Sequence, residues 1–192
     1  MKLLNLDQNS PDWHKWRQDG LGGSDAGHVM GGAPWLSAET LRLHKKTGQQ
    51  PAENERMARG KKLEPEARLL YQQLTGIKCR PVCAVHDTYP FLRVSLDCLS
   101  EDNQIVVEIK CPTNKYKHAD ALNGKYPNYY KAQLQHALLV TGLERAHFVS
   151  YHPEFQEHRR LAVVPVAADL DYQEELLERE KNMWESLSEG RS

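Results

Sequence analysis

The chain has 192 residues, 40% of them hydrophobic and 27% charged, with a formal net charge of −1. That composition describes a soluble globular chain, long enough for one domain that buries about 70% of its unfolded surface. It excludes a membrane protein, since no apolar run approaches the ~20 residues of a span, and it excludes a uniformly basic nucleic-acid coat.

The opening MKLLNLDQNS has neither the apolar core nor the cleavage site of a secretory signal, so a cytoplasmic location is expected. The four cysteines, 79, 83, 98 and 111, are then expected as reduced thiols. With no C-x-x-C pair and no H-E-x-x-H, zinc is not expected. Residues 11–19 predict a short helix with Ser10 as N-cap and Pro11 at its first position. Trp13 and Trp16 can share its buried face, and Arg17 lies one turn beyond Trp13. Gly22-Gly23-Ser24-Asp25 then opens a second helix reaching Met30, with Ser24 as its N-cap. Such an entry exposes backbone N–H groups and suits an anion, with Arg17 able to supply a charged fork; a capped turn beside a surface arginine is the alternative.

Ser37 caps a helix expected to run to about Gly48, followed by a loop over Gln49–Asn54. A further helical stretch covers Glu55–Thr75, with Leu63, Ala67, Leu70 and Leu74 at helical spacing and Gly76 as C-cap. Pro65 breaks or kinks it at Glu64, or begins a fresh helix. Glu64 has two readings: a partner for Arg68 one turn on, or a third carboxylate aimed at the hairpin of residues 91–112. Residues 78–86 read as a strand placed at an edge by Pro81.

Phe91–Pro112 reads FLRVSLDCLSEDNQIVVEIKCP, two apolar-rich runs around a polar turn, which predicts a β-hairpin. A two-residue turn at Asp102-Asn103 pairs Glu101 with Gln104 and sets Asp97 opposite Glu108. Arg93, Ser95 and Lys110 then share their face, and Leu92, Val94, Leu96, Cys98, Ile105, Val107 and Ile109 share the other. Two carboxylates at about 5 Å repel by roughly 3 kcal/mol at an effective dielectric of about 20. A hard divalent cation would reverse that sign; salt bridges from Glu108 to Lys110 and from Arg93 to Asp97 are the alternative.

Residues 113–126 read as a lysine- and tyrosine-bearing connection. From Lys110 to Lys131 inclusive there are five lysines and one acid, Asp120. Pro127 opens a helix closed by Gly142, with Leu134, Ala137, Leu138 and Thr141 buried and Gln133 free to reach a ligand. Strands follow at about 145–151 and 159–166. An acidic amphipathic helix over residues 170–187 buries Leu176, Met183, Trp184 and Leu187. The order predicts an α/β fold of the α+β kind, a mixed central sheet flanked by helices, in a single domain over residues 1–192.

Three stretches, WHKWRQDGLGGSDAGHVMGGAPW, RGKKLEPEARLLYQQLTG and YYKAQLQHALLVTG, flank a D-x(10)-E-x-K constellation at Asp97, Glu108 and Lys110. In this order, from about Trp13 to Tyr151, the chain resembles the YqaJ-type viral recombinase, or lambda-exonuclease, family of the PD-(D/E)XK nuclease superfamily. The resemblance implies a restriction-endonuclease-like core. It implies metal ligation by Asp97, Glu108, the Ile109 carbonyl and Glu64, and catalysis by Lys110 with these acids. It places the terminal 5′-phosphate of DNA on Arg17, Ser24, Ser95 and Gln133. The proline usual before the aspartate is Leu96 here.

The implied activity is a deoxyribonuclease, a 5′-to-3′ exonuclease working with two Mg²⁺ ions, or Mn²⁺ in their place. It would digest one strand of linear duplex DNA from 5′-phosphorylated ends and leave 3′ single-stranded overhangs for phage-type annealing recombination. The implied partners are double-stranded DNA ends, two further copies in a toroidal homotrimer and a single-strand annealing protein, with no membrane, in a bacterial or phage-infected cytoplasm. No iron–sulfur cluster is expected, because no cysteine lies near either terminus. A site-specific endonuclease of the same superfamily and a non-catalytic DNA-binding module are the alternatives.

Overall fold

The computed structural model describes residues 1–34, 37–49 and 54–188. Most of the loop expected over Gln49–Asn54, and Trp35 of the first motif, lie outside these residues.

Six strands form one sheet in sequence order: β1 (Lys2–Leu4), β2 (Cys79–Val85), β3 (Arg93–Ser100), β4 (Val106–Lys110), β5 (Arg145–Tyr151) and β6 (Leu161–Ala167). All neighbours are antiparallel except β4 and β5. That parallel pair needs a crossover, supplied by α5 (Lys115–Leu122) and α6 (Lys131–Thr141). The helices α1 (Pro11–Gln18), α2 (Gly23–Val29), α3 (Ala38–Thr47) and α4 (Glu55–Thr75) precede the main strands, and α7 (Leu170–Ser188) follows them. The result is the expected mixed sheet flanked by helices. No described helix is long and apolar enough to cross a membrane.

The hairpin keeps the expected register, with Cys98 opposite Val107 and Leu99 opposite Val106. Its turn is wider than two residues, because Glu101 and Gln104 do not pair. The Ser100 hydroxyl accepts from the N–H groups of Gln104 and Ile105 and donates to Asp102 Oδ1, while Asn103 adopts a left-handed φ of 55°. A side chain thus closes the loop in place of a ladder pair.

The single apolar face expected for the hairpin is divided between two. The β2–β3 register slips between Arg80↔Leu99 and Val82↔Leu96, so two β3 residues, Asp97 and Cys98, oppose Pro81 alone. This bulge also explains how Pro81 is tolerated in a strand that lies inside the sheet, between β1 and β3, and not at its edge. Leu92, Val94, Leu96, Leu99 and Val106 pack with Leu134, Ala137 and Leu138 of α6. Cys98, Val107 and Ile109 pack on the opposite face with Ala67 and Tyr71 of α4. Facing the same way brings Cys79 and Cys98 together, and they form a disulfide with Cα atoms 5.5 Å apart, correcting the expectation of four thiols. Cys83 and Cys111 are free.

Other boundaries differ for local reasons. Pro65 sits inside an unbroken α4, at an exposed position where its missing N–H is tolerated. In α4 the buried residues are Ala67 and Tyr71, whereas Leu74 is 64% exposed. In α7, Trp184 is half-buried and stacks on Phe91 at 5.4 Å. Residues 113–126, read as a connection, contain α5, and β1 pairs with β2 as an additional strand.

Candidate active site

The bulge on β3 turns Asp97 toward β4, where regular pairing has ended. Its Oδ2 accepts the Ile109 N–H at 2.7 Å, a donor that a regular ladder would give to the β3 backbone. Glu108 is 3% exposed, and its Oε1 accepts from the Lys110 ammonium and, at 2.6 Å, from Gln133 Nε2. Lys110 also lies 5.1 Å from the centre of the Tyr130 ring. Asp97, Glu108, Lys110 and Gln133 line a cleft of about 160 Å³ together with Arg17, Gly22, Gly23, Ser24, Arg93 and Ser95.

The opposite wall comes from α1, α2 and their connection. Ser10 caps α1 through the Trp13 N–H. The cap of α2 is Gly22, with no side-chain bond, so Ser24 lies inside the helix and not at its cap. Its hydroxyl instead accepts from Arg17 Nη2 at 2.6 Å. The Arg17 guanidinium stacks on Trp13 at 4.7 Å, and the Trp13 indole N–H donates to the Ser95 hydroxyl at 2.7 Å. Gly23 of α2 lies against Gln133 and His136 of α6. The structure thus gathers Arg17, Ser24, Ser95, Asp97, Glu108, Lys110 and Gln133 around one cleft.

Glu64 is placed apart from that lining. Its carboxylate pairs with Arg68, whose Nε also donates to the Asp97 carbonyl at 3.1 Å. Glu64 is nevertheless close enough to Asp97 and Glu108 for the charges to interact. Among the described residues no three acidic, histidine or cysteine side chains converge as a ready-made cation cage. Asp97, Glu108 and the neighbouring backbone still form a donor set suited to a cation that keeps several waters, as Mg²⁺ does.

The electrostatics are unfavourable to the free carboxylates. Burial pushes Glu108 up to about 7, and repulsion from Asp97 adds to it despite Lys110. Burial and Asp97 likewise raise Glu64 to about 7, against Arg68. Asp97 is raised by burial, opposed by Lys110 and the Ile109 N–H. Burial works against the Lys110 ammonium, but Glu108 and Asp97 hold its pKa above the ordinary value. Lys110 is therefore a fixed positive donor among carboxylates that lack a full complement of positive charge.

Some site residues were not legible as such. Helical spacing marks Trp13 as buried but gives no sign that it links Arg17 to Ser95. Arg93 turns from Asp97 to donate to the Trp16 carbonyl and to stack on the Trp16 ring at 5.5 Å. Lys45 and Asp25, which brace the arginine-bearing loop from behind, had only faint signals: a lysine one turn from Leu41 on a buried face, and an acid three residues after Gly22.

A bulged hairpin carrying Asp and Glu-x-Lys, in a mixed sheet flanked by helices, defines a nuclease core of the PD-(D/E)XK type. The chain belongs to the YqaJ-like viral recombinase domain family, which it matches over residues 12–144. It is 30% identical over 145 residues to the "Uncharacterized protein YqaJ" of Bacillus subtilis (strain 168), covering 73% of this chain and 45% of that one, so it spans less than half of that relative. The alkaline exonuclease LHK-Exo from Laribacter hongkongensis superimposes with a TM-score of 0.83 at 26% identity over 94% of both chains. That enzyme has also been solved in complex with dAMP. A phage-related exonuclease from Haemophilus somnus 129PT shares the fold, with a TM-score of 0.67 at 15% identity over 90% of this chain and 96% of the other.

Proposed function

We propose that the protein is a Mg²⁺-dependent 5′-to-3′ exonuclease that digests one strand of linear duplex DNA from 5′-phosphorylated ends. The observation that carries this reading is the meeting, in one cleft, of Asp97, Glu108 and Lys110 with the Arg17–Ser24 pair. Asp97, Glu108 and the Ile109 carbonyl would hold the metal, with Glu64 joining once released from Arg68. Two Mg²⁺ ions, or Mn²⁺ in their place, would supply an activated water and charge stabilisation for in-line displacement at phosphorus.

The chain's own groups have distinct tasks. Arg17 and the Ser24 hydroxyl offer charged and neutral donors to a terminal phosphate, with Ser95 and Gln133 alongside. Lys110, held protonated by Glu108 and Asp97, stabilises the charge that develops on the attacked phosphate. Gln133 fixes the orientation of Glu108 from α6. With the terminal phosphate seated, the next phosphodiester falls to the carboxylates, which gives 5′-to-3′ polarity and leaves a 3′ overhang.

That product suits a single-strand annealing partner in phage-type recombination. Such a partner, and a toroidal homotrimer threading DNA, rest on the family resemblance and on no contact within one chain. The test compares mononucleotide release in Mg²⁺ from linear and covalently closed circular duplexes. An exonuclease degrades the linear DNA and spares the circle; cutting of the circle would point to an endonuclease, and no release from either to a binding module.

A further inference from the structure

We infer that Lys45 is a positioning residue for the 5′-phosphate pocket: its buried ammonium fixes the loop that carries Arg17 and Ser24 to the cleft. This rests on the pocket proposed above. Lys45 projects from the last turn of α3 and is only 8% exposed. Its Nζ lies 3.0 Å from the Arg17 carbonyl, 2.7 Å from the Gly20 carbonyl and 2.8 Å from Asp25 Oδ2. An ammonium has three N–H donors, and all three are directed at the segment between Arg17 and Asp25.

Each contact holds a different part of that segment. Arg17 belongs to the last turn of α1, where carbonyls lack helical partners and a cation is favoured. Gly20 sits where a side chain cannot, since a Cβ there would lie 2.6 Å from the Phe91 carbonyl oxygen. Asp25 Oδ2 also accepts the Gly22 N–H at 2.9 Å, which ties the entry of α2 to the same ammonium. Burial alone would raise the Asp25 pKa, but Lys45 and then Arg17 bring it below the ordinary value. Gln18 Nε2 adds bonds to the carbonyls of His44 and Lys45, both at 2.9 Å. On the far side, the Leu21 N–H donates to the Phe91 carbonyl at 2.7 Å and the Leu21 carbonyl accepts the Arg93 N–H at 2.9 Å, which joins the loop to β3. The arginine and the serine are thus set against Ser95 by a brace that touches no substrate.

A brace of this kind acts on selectivity for the end. The experiment measures kcat/KM in Mg²⁺ on linear duplexes with 5′-phosphoryl and 5′-hydroxyl ends for wild type, R17A, K45M, K45R and the R17A/K45M double variant. R17A should erase the preference for the phosphate. K45M should cut it about 10–100-fold, the scale of a misplaced binding group, mainly through KM. The double variant should match R17A, because Lys45 acts through Arg17. K45R keeps the charge but spreads its donors over a planar fork, so it should lose part of the preference; if K45M fails to fold, K45R decides. A preference retained in K45R and K45M, or equal loss on both ends, would overturn the inference while leaving the pocket intact. A wild type indifferent to the phosphate would overturn the pocket and the inference together.

Discussion

The carboxylate cluster makes a prediction about stability that is independent of catalysis. Glu108 is buried at 3% exposure beside Asp97, and its pKa is pushed up to about 7 from an ordinary 4.5. Because the folded pKa is raised, the group favours folding below its unfolded pKa, and that advantage disappears as the pH rises through the folded value. At about 1.4 kcal/mol per pH unit, the ionised form costs on the order of 3 kcal/mol above pH 7. Gln mimics the protonated acid, so E108Q in EDTA should be more stable than wild type by about that amount at pH 8.5, and by little at pH 4.5. Urea unfolding at both pH values gives the difference directly. Saturating Mg²⁺ should close the gap by stabilising wild type, by about 2.7 kcal/mol at a hundredfold excess over Kd, while leaving E108Q nearly unchanged. An E108Q protein no more stable than wild type at pH 8.5, or a gain equal at both pH values, would refute the reasoning.

Three other outcomes follow from the same structure. K110M should lower digestion by about 10²–10³-fold through loss of charge stabilisation, with duplex affinity, read by fluorescence anisotropy, largely kept. L138A removes a side chain 1% exposed beneath the sheet and should cost about 3 kcal/mol in urea unfolding. The buried His136–Glu180 pair, 2.7 Å apart, joins α6 to α7; burial opposes the imidazolium, but Glu180 outweighs it and raises the His136 pKa. Its contribution is full below the unfolded pKa and fades as pH rises through the folded one, so the stability difference between wild type and E180Q should shrink from pH 6 to pH 9.

The hairpin register was legible because Asp102-Asn103 marks the turn and the pairing count is then fixed by the chain. What lies on which face was not, because period-two alternation assumes an unbroken ladder and the bulge opposite Pro81 shifts it by one residue. The same shift hid the approach of Cys98 to Cys79. Helix α5 escaped notice because only His118 and Ala121 are buried in it, too few to mark a stripe, and β1 is only three residues long. The chemistry-bearing residues were legible one by one, and local spacing left Glu64 open between Arg68 and the hairpin. In the fold Glu64 pairs with Arg68 one turn on, and tertiary contact brought in Lys45, whose partners Arg17 and Gly20 lie 28 and 25 residues away along the chain and carry no shared pattern.

The most direct test of the central claim follows label release from linear duplexes marked at the 5′-phosphate or at the 3′ end, in Mg²⁺, for wild type and E108Q. Wild type should release the 5′ label first, as mononucleotide, with the 3′ label released only late, and E108Q should release neither. Early release of the 3′ label, or release by E108Q at the wild-type rate, would contradict the claim.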